Sequence, residues 1–154
     1  MTAPLKLCVR RSEVAAPSGH VVDVSVVLPS EIQHIEAAVE LMARHCFAGH
    51  PSTSRLRFRL QVTLSEALAN AIICGNGQDP SKHVTIQAQC RSDAIELSVA
   101  DEGTGFSPDQ ITAPMTGAEI ESQCGRGLFL IRHLADHVAF NEEGNAICIT
   151  LRRP

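Results

Sequence analysis

Ile95-Glu96-Leu97-Ser98-Val99-Ala100-Asp101-Glu102-Gly103-Thr104-Gly105-Phe106 is a strand pattern that runs into a carboxylate and two glycines. Ile95, Leu97 and Val99 alternate with Glu96, Ser98 and Ala100, the period of two expected of a half-buried strand. An ionised Asp101 can only accept hydrogen bonds. Gly103 and Gly105 allow the backbone to come close to something flat or bulky. Alone, the pattern suits either a binding turn or an ordinary glycine-rich loop. The rest of the chain has to separate the two.

Upstream, Val84, Ile86, Ala88 and Cys90 alternate in the same way, and Arg91-Ser92-Asp93 links the two runs as a hairpin. Val22, Val24, Val26 and Leu28 predict an earlier strand, with a shorter one over 5–10 before it. Downstream, 138–141 and Ile147, Ile149 and Leu151 predict a last hairpin about Glu142-Glu143-Gly144-Asn145. Three helices separate these strands. Ser30-Glu31-Ile32-Gln33 has the form of a capping box, and Ile32, Ile35, Val39, Met42 and Cys46 then recur at helical spacing over 31–46. Leu56, Leu60, Leu64, Leu68 and Ala71 form the apolar stripe of a second helix over 53–74, which Gly75-Asn76-Gly77 ends. A third opens at Gly125 or Arg126, with Leu128, Ile131, Leu134 and Val138 on one face. Between Ser107 and Cys124 there are two prolines, polar residues and little periodicity. Loops of that length are commonly lids or binding loops. Helices and hairpins without regular βαβ alternation imply an α+β layer, one sheet with helices on one face. The 154 residues suit a single domain over 1–154 with its core at about 22–151.

Apolar residues make up 44% and charged residues 19%, a composition that folds. The net charge is −4 and Lys/Arg occur at most in pairs such as Arg10-Arg11, so a nucleic-acid partner is not expected. No apolar run approaches the length of a membrane span and no signal peptide is read at the start, so a cytoplasmic protein is expected. Six scattered cysteines (Cys8, Cys46, Cys74, Cys90, Cys124, Cys148) read as reduced thiols rather than a disulfide framework or zinc site. His133 and His137 share helical spacing but lack a third ligand nearby, and read as a solvated face.

The second helix carries the next chemical signal. Arg55, Arg59, Thr63, Glu66 and Asn70 fall at i, i+3 or i, i+4 spacing, on a face opposite the leucines. That is the pattern of a solvated polar face, except that Asn70 sits among Ala67, Leu68, Ala69, Ala71, Ile72 and Ile73. Asn is not favoured in helix interiors. Its carbonyl oxygen is a hard ligand suited to Mg²⁺, and Glu66, one turn earlier, could orient or deprotonate a nucleophile. Gly125-Arg126-Gly127-Leu128 then leads into an amphipathic helix, either as an anion site at a helix start or as a plain glycine-tolerant loop. Arg126 could add a charged contact to a phosphate.

In this order the three segments resemble the GHKL ATPase superfamily, which includes histidine kinases, gyrase-type topoisomerases and heat-shock chaperones. Glu66-Ala67-Leu68-Ala69-Asn70 is similar to its N-box, Asp101-Glu102-Gly103-Thr104-Gly105 to its first glycine box and Gly125-Arg126-Gly127-Leu128 to its second. Within the superfamily the chain looks most like the RsbW-like bacterial anti-sigma-factor serine/threonine kinases, over about 22–151. The resemblance implies a Bergerat-type two-layer α/β sandwich with a mixed, mostly antiparallel sheet. It implies Mg²⁺ and ATP as cofactors, with Asn70 on the metal, Asp101 accepting from the adenine amino group, and Gly103, Gly105 and Phe106 at the base and lid hinge. Gly125, Arg126, Gly127 and Leu128 would lie along the phosphates, and Glu66 would act as the general base. The implied partners are a sigma factor and an anti-sigma-factor antagonist of the STAS type, with a homodimer as the expected assembly. The alternative is an ATP- or ADP-sensing switch that holds a partner without phosphate transfer. Two positions depart from the family pattern: Cys74 stands where His is frequent, and Asn145 where Thr is. The stretch 107–124 contains no Lys or Arg to reach a γ-phosphate.

Overall fold

The computed structural model describes residues 8–16, 19–47, 53–104 and 123–153. In chain order these form β1 (Cys8–Ala16), β2 (Gly19–Pro29), a 3₁₀ turn (Ile32–His34), α1 (Ile35–Phe47), α2 (Ser54–Ala69) and a π-helical turn (Asn70–Gly75). Then follow β3 (His83–Cys90), β4 (Ala94–Ala100), α3 (Gln123–Leu134), β5 (His137–Phe140) and β6 (Ala146–Arg152). The six strands form one sheet in the order β1-β2-β3-β4-β6-β5. Every pairing among the described residues is antiparallel, so the expected parallel component of a mixed sheet is not found there. The α+β layering is as expected.

The period-two residues explain the layers. Val22, Val24, Val26 and Leu28 of β2, Val84, Ile86, Ala88 and Cys90 of β3, Ile95, Leu97 and Val99 of β4, and Ile147, Ile149 and Leu151 of β6 are all buried on one face. The α2 stripe Leu56, Leu60, Leu64 and Leu68 packs on them, with Val39, Met42 and Cys46 of α1 and Ile131 of α3. Each fully buried leucine is worth about 1.5–3 kcal/mol of transfer free energy. Asp23, Ser25, Gln87, Gln89, Glu96 and Ser98 line the opposite face, which carries no helix among the described residues. None of the described helices is long and apolar enough to cross a membrane.

Several local expectations give way. Ser30 does not cap α1. Its N–H donates to the Lys82 carbonyl at 3.0 Å, which extends the β2–β3 ladder and buries the hydroxyl without a partner. The cap position passes to Glu31, and Gln33 bonds the Glu31 carboxylate instead of reaching back to a backbone N–H. The first turn is therefore 3₁₀ and leaves Ile32 53% exposed, outside the core stripe it was assigned to. At α2 the cap is Thr53, whose hydroxyl accepts from Leu56 N–H at 3.1 Å. α3 opens at Gln123, ahead of the expected start, and ends at Leu134, so His133 and His137 do not share a helix.

Candidate functional site

The polar residues of α2 divide into two groups along its length. Thr63 is fully buried and donates to the Arg59 carbonyl of its own helix at 2.7 Å, so it belongs to the core and not to a solvated face. Arg59 is consumed by structure. Its Nε donates to the Leu134 carbonyl at the end of α3, and its Nη2 to Asp136 Oδ2, both at 2.7 Å. The same Oδ2 accepts Arg152 N–H at 2.7 Å, which ties the clamp to β6. The Arg152 N–H, then the Arg59 guanidinium, hold the Asp136 carboxyl below its usual value.

Further along, Glu66 and Asn70 face α3 where that helix carries Gly127. A Cβ on Gly127 would lie 2.8 Å from Glu66 Oε2, closer than real Cβ atoms approach, and 3.0 Å from Asn70 Oδ1, tighter than most Cβ contacts. Gly127 falls in the second turn of α3, where the backbone N–H is ordinarily committed to the carbonyl four residues back. Its contribution here is the side chain it lacks. Gly125 lies in the first turn, Arg126 is exposed, and Leu128 packs against the core.

From Asn70 the helix widens into a π-helical turn that ends at Gly75. Such turns are frequent at functional sites. The Asn76 N–H reaches the Ala71 carbonyl at 2.8 Å, five residues back. This brings the Gly75 backbone against the Asp101 carboxylate, so that any Cβ at Gly75 would overlap it. Gly103 stacks against the Gly75 carbonyl with no room for a Cβ either. Asp101 itself is half-buried at the end of β4. Its Oδ1 accepts Gly103 N–H at 2.7 Å. Burial raises its carboxyl above the ordinary value, while Gly103 N–H and the Lys82 charge pull the other way.

Glu66, Asn70, Gly75, Asp101, Gly103 and Gly127 are thus gathered along one line, from the start of α3 across the π-helical turn to the end of β4. Gly105 and Phe106, and the stretch read as a lid, lie outside the described residues. The donor set fits a hard divalent cation at the Asn70 and Glu66 end, where the missing Gly127 Cβ leaves a cradle. No group of three or more His, Cys, Asp or Glu that could hold a metal occurs among the described residues, so an ion there would draw on ligands from a bound molecule or water.

Two residues were not singled out as site residues in the sequence. Gly75 reads there as a helix terminator, but it forms the wall beside Asp101. Asn76 reads as a turn residue and is 3% exposed, with both ends of its amide engaged. Cys46, Cys90 and Cys148 are reduced thiols, as expected. Cys46 and Cys90 are buried side by side, and the Cys46 thiol is pushed far up by its contact with Cys90 and by burial. Cys74, in the π-helical turn, is disulfide-bonded, against the expectation of a reduced thiol.

A family model described as the histidine kinase-like ATPase domain matches residues 28–151, which include all of these positions. The chain belongs to this family. A Geobacillus stearothermophilus protein named anti-sigma F factor is 33% identical over 99 residues, covering 62% of this chain and 66% of its own length. An Oceanobacillus iheyensis protein of the same name is 29% identical over 96 residues, 59% of this chain and 66% of its own. The serine-protein kinase RsbW of Bacillus subtilis is 32% identical over 98 residues, 59% of this chain and 61% of its own. The chain therefore matches less than two thirds of the length of these relatives.

Proposed function

We propose that this protein binds Mg-ATP and acts as an anti-sigma factor with serine/threonine protein kinase activity. It sequesters a sigma factor and phosphorylates an antagonist protein of the STAS type. The observation that carries the reading is the Gly127 clearance over Glu66 and Asn70. A carboxylate and a carboxamide sit side by side under a helix that has no side chain in the way. The names of its relatives, anti-sigma F factor and serine-protein kinase, support the biological setting.

Asn70 Oδ1 would hold Mg²⁺ beside the ATP phosphates, and Asp101 would accept from the adenine amino group. The ion supplies charge neutralisation on the phosphates. Gly103 and Gly75 keep the wall beside Asp101 thin enough for a flat base, and Gly125 and Arg126 lie toward the phosphate end. Gly105, Phe106 and Leu128 complete the proposed binding set, the first two at the lid hinge. Glu66 takes the proton from a serine or threonine hydroxyl of the partner. The hydroxyl oxygen bonds to the γ-phosphorus as its bond to the β-phosphate oxygen breaks, and ADP leaves. Catalysis here is mostly positioning and charge neutralisation. The cytoplasm is the proposed setting and a homodimer the proposed assembly.

One observation favours a second reading, a switch that binds nucleotide and partner without phosphate transfer. The stretch 107–124 contains no cationic side chain to steady a γ-phosphate. Incubation with Mg-ATP and an antagonist protein, followed by mass measurement of the antagonist, decides between them. The kinase reading expects the mass of one added phosphate. An unchanged antagonist with nucleotide binding intact removes the kinase and leaves the switch.

A further inference from the structure

We propose that Asn76 is a positioning residue for base selection, which sets the Asp101 turn from the end of the π-helical turn. The inference rests on the reading of Asp101 as the adenine acceptor and goes beyond it by naming what aims that carboxylate.

Three consecutive N–H groups of the turn are committed. Asp101 N–H donates to the Asn145 carbonyl at 2.9 Å, Glu102 N–H to Asn76 Oδ1 at 2.8 Å, and Gly103 N–H to Asp101 Oδ1 at 2.7 Å. The first holds the turn to the residue before β6, and the third is internal to the turn. Only the second is a side-chain hydrogen bond that reaches it from the helix layer. The Asn76 amide has a single workable orientation. Glu102 N–H can only donate and the His83 carbonyl can only accept, so Oδ1 faces the first and Nδ2, at 3.0 Å, the second. The Glu102 carboxylate closes the frame by accepting His83 N–H at 3.0 Å. Asn76 is therefore bonded to the residue next to Asp101 and to the first residue of β3, and its own N–H continues the π-helical turn that carries Asn70. No shorter side chain keeps both bonds, and a residue without an acceptor removes the partner of the part-buried Glu102 N–H.

Calorimetric titration with Mg-ATP and Mg-ITP tests this. Inosine replaces the adenine amino donor with a carbonyl and turns the N1 acceptor into a donor, so the ATP/ITP affinity ratio reads recognition of the base edge that Asp101 faces. In Asn76→Ala the ratio falls about tenfold, the size of one lost hydrogen bond, while ITP affinity stays within about twofold. Glu102→Ala, a change at an exposed side chain, keeps the fold and lowers the ratio by a smaller factor, about threefold. Asp101→Ala abolishes the preference. Equal losses for both nucleotides in Asn76→Ala, or an unchanged ratio in that variant, overturn the proposal. If Asn76→Ala does not fold, Glu102→Ala decides by the same criterion. A wild type that binds both nucleotides equally overturns the adenine assignment itself, an outcome separate from any variant effect.

Discussion

The two ends of α2 carry polar residues on one sequence pattern and use them in opposite ways. Near its start, Arg59 is saturated by the Leu134 carbonyl and Asp136, and Asp136 is in turn bonded by β6. Near its end, Glu66 and Asn70 meet a glycine that leaves space. Polarity and spacing alone do not separate a clamp from a binding wall. What separates them is the residue across the gap. A helix end and an aspartate close the first, and a missing Cβ opens the second.

Substitutions can break this contrast, and the largest effect belongs to Glu66. Glu66→Ala should keep nucleotide affinity and lower phosphate transfer by about 10²–10⁴-fold, the range for removing a general base. Single-turnover assays with an antagonist protein measure it, and transfer at the wild-type rate would remove Glu66 from the chemistry. Asn70→Ala should lower Mg-ATP affinity by about a hundredfold, on the order of 3 kcal/mol for a charge-linked contact. Equal binding of ATP by this variant and the wild type, with Mg²⁺ present, would show that the metal assignment is wrong.

Arg59→Ala addresses the closed end. It leaves the Leu134 carbonyl and Asp136 without the guanidinium and should cost about 2 kcal/mol of stability with nucleotide affinity retained. Denaturant titration beside nucleotide titration separates those two readouts. Gly127→Ala sharpens the contrast, because its two effects have opposite signs. Replacing a helical glycine by alanine favours the helix by about 0.5–1 kcal/mol, while the new methyl intrudes on Glu66 and Asn70. Nucleotide affinity should fall about tenfold, the scale of one displaced contact, with the melting temperature unchanged or higher. A joint fall of stability and affinity would mean that the clearance is structural.

The smallest effect is that of pH on the clamp. Asp136 titrates below its ordinary 3.8 in the fold. A depressed carboxylate contributes its full stabilisation above the unfolded value and loses it as the pH falls through the folded one. The wild type should therefore shed this share only in acid below about pH 3.8. Asp136→Asn should lack that share at neutral pH and show a shallower acid transition.

Much of the fold was legible because it rests on periodicity. The leucines of α2 and the alternating residues of β2, β3, β4 and β6 are buried as their spacing predicts. Features decided by long-range contacts were not legible. Ser30 has the sequence of a cap, but the Lys82 carbonyl claims its backbone and places it at a strand end. Thr63 reads as polar-facing, yet a hydroxyl that bonds its own helix carbonyl can be buried. Arg59 could not be told from a solvated arginine without knowing that Leu134 and Asp136 lie opposite. The Glu66, Asn70, Asp101 and Gly127 positions were visible as motifs. Gly75 and Asn76 were not, because a glycine or asparagine after a helix is read first as punctuation. The Cys74 disulfide was missed for a similar reason: scattered cysteines without local spacing give no pairing signal.

β6 has a consequence of its own. Through Asp136 and the Arg152 N–H it holds the end of α3, and Asn145, just before it, holds Asp101. The C-terminal end of α3 and the aspartate end of the site therefore both hang from a single strand. A break in β6 would therefore loosen the helix end and the aspartate turn together, like two hinges on one post.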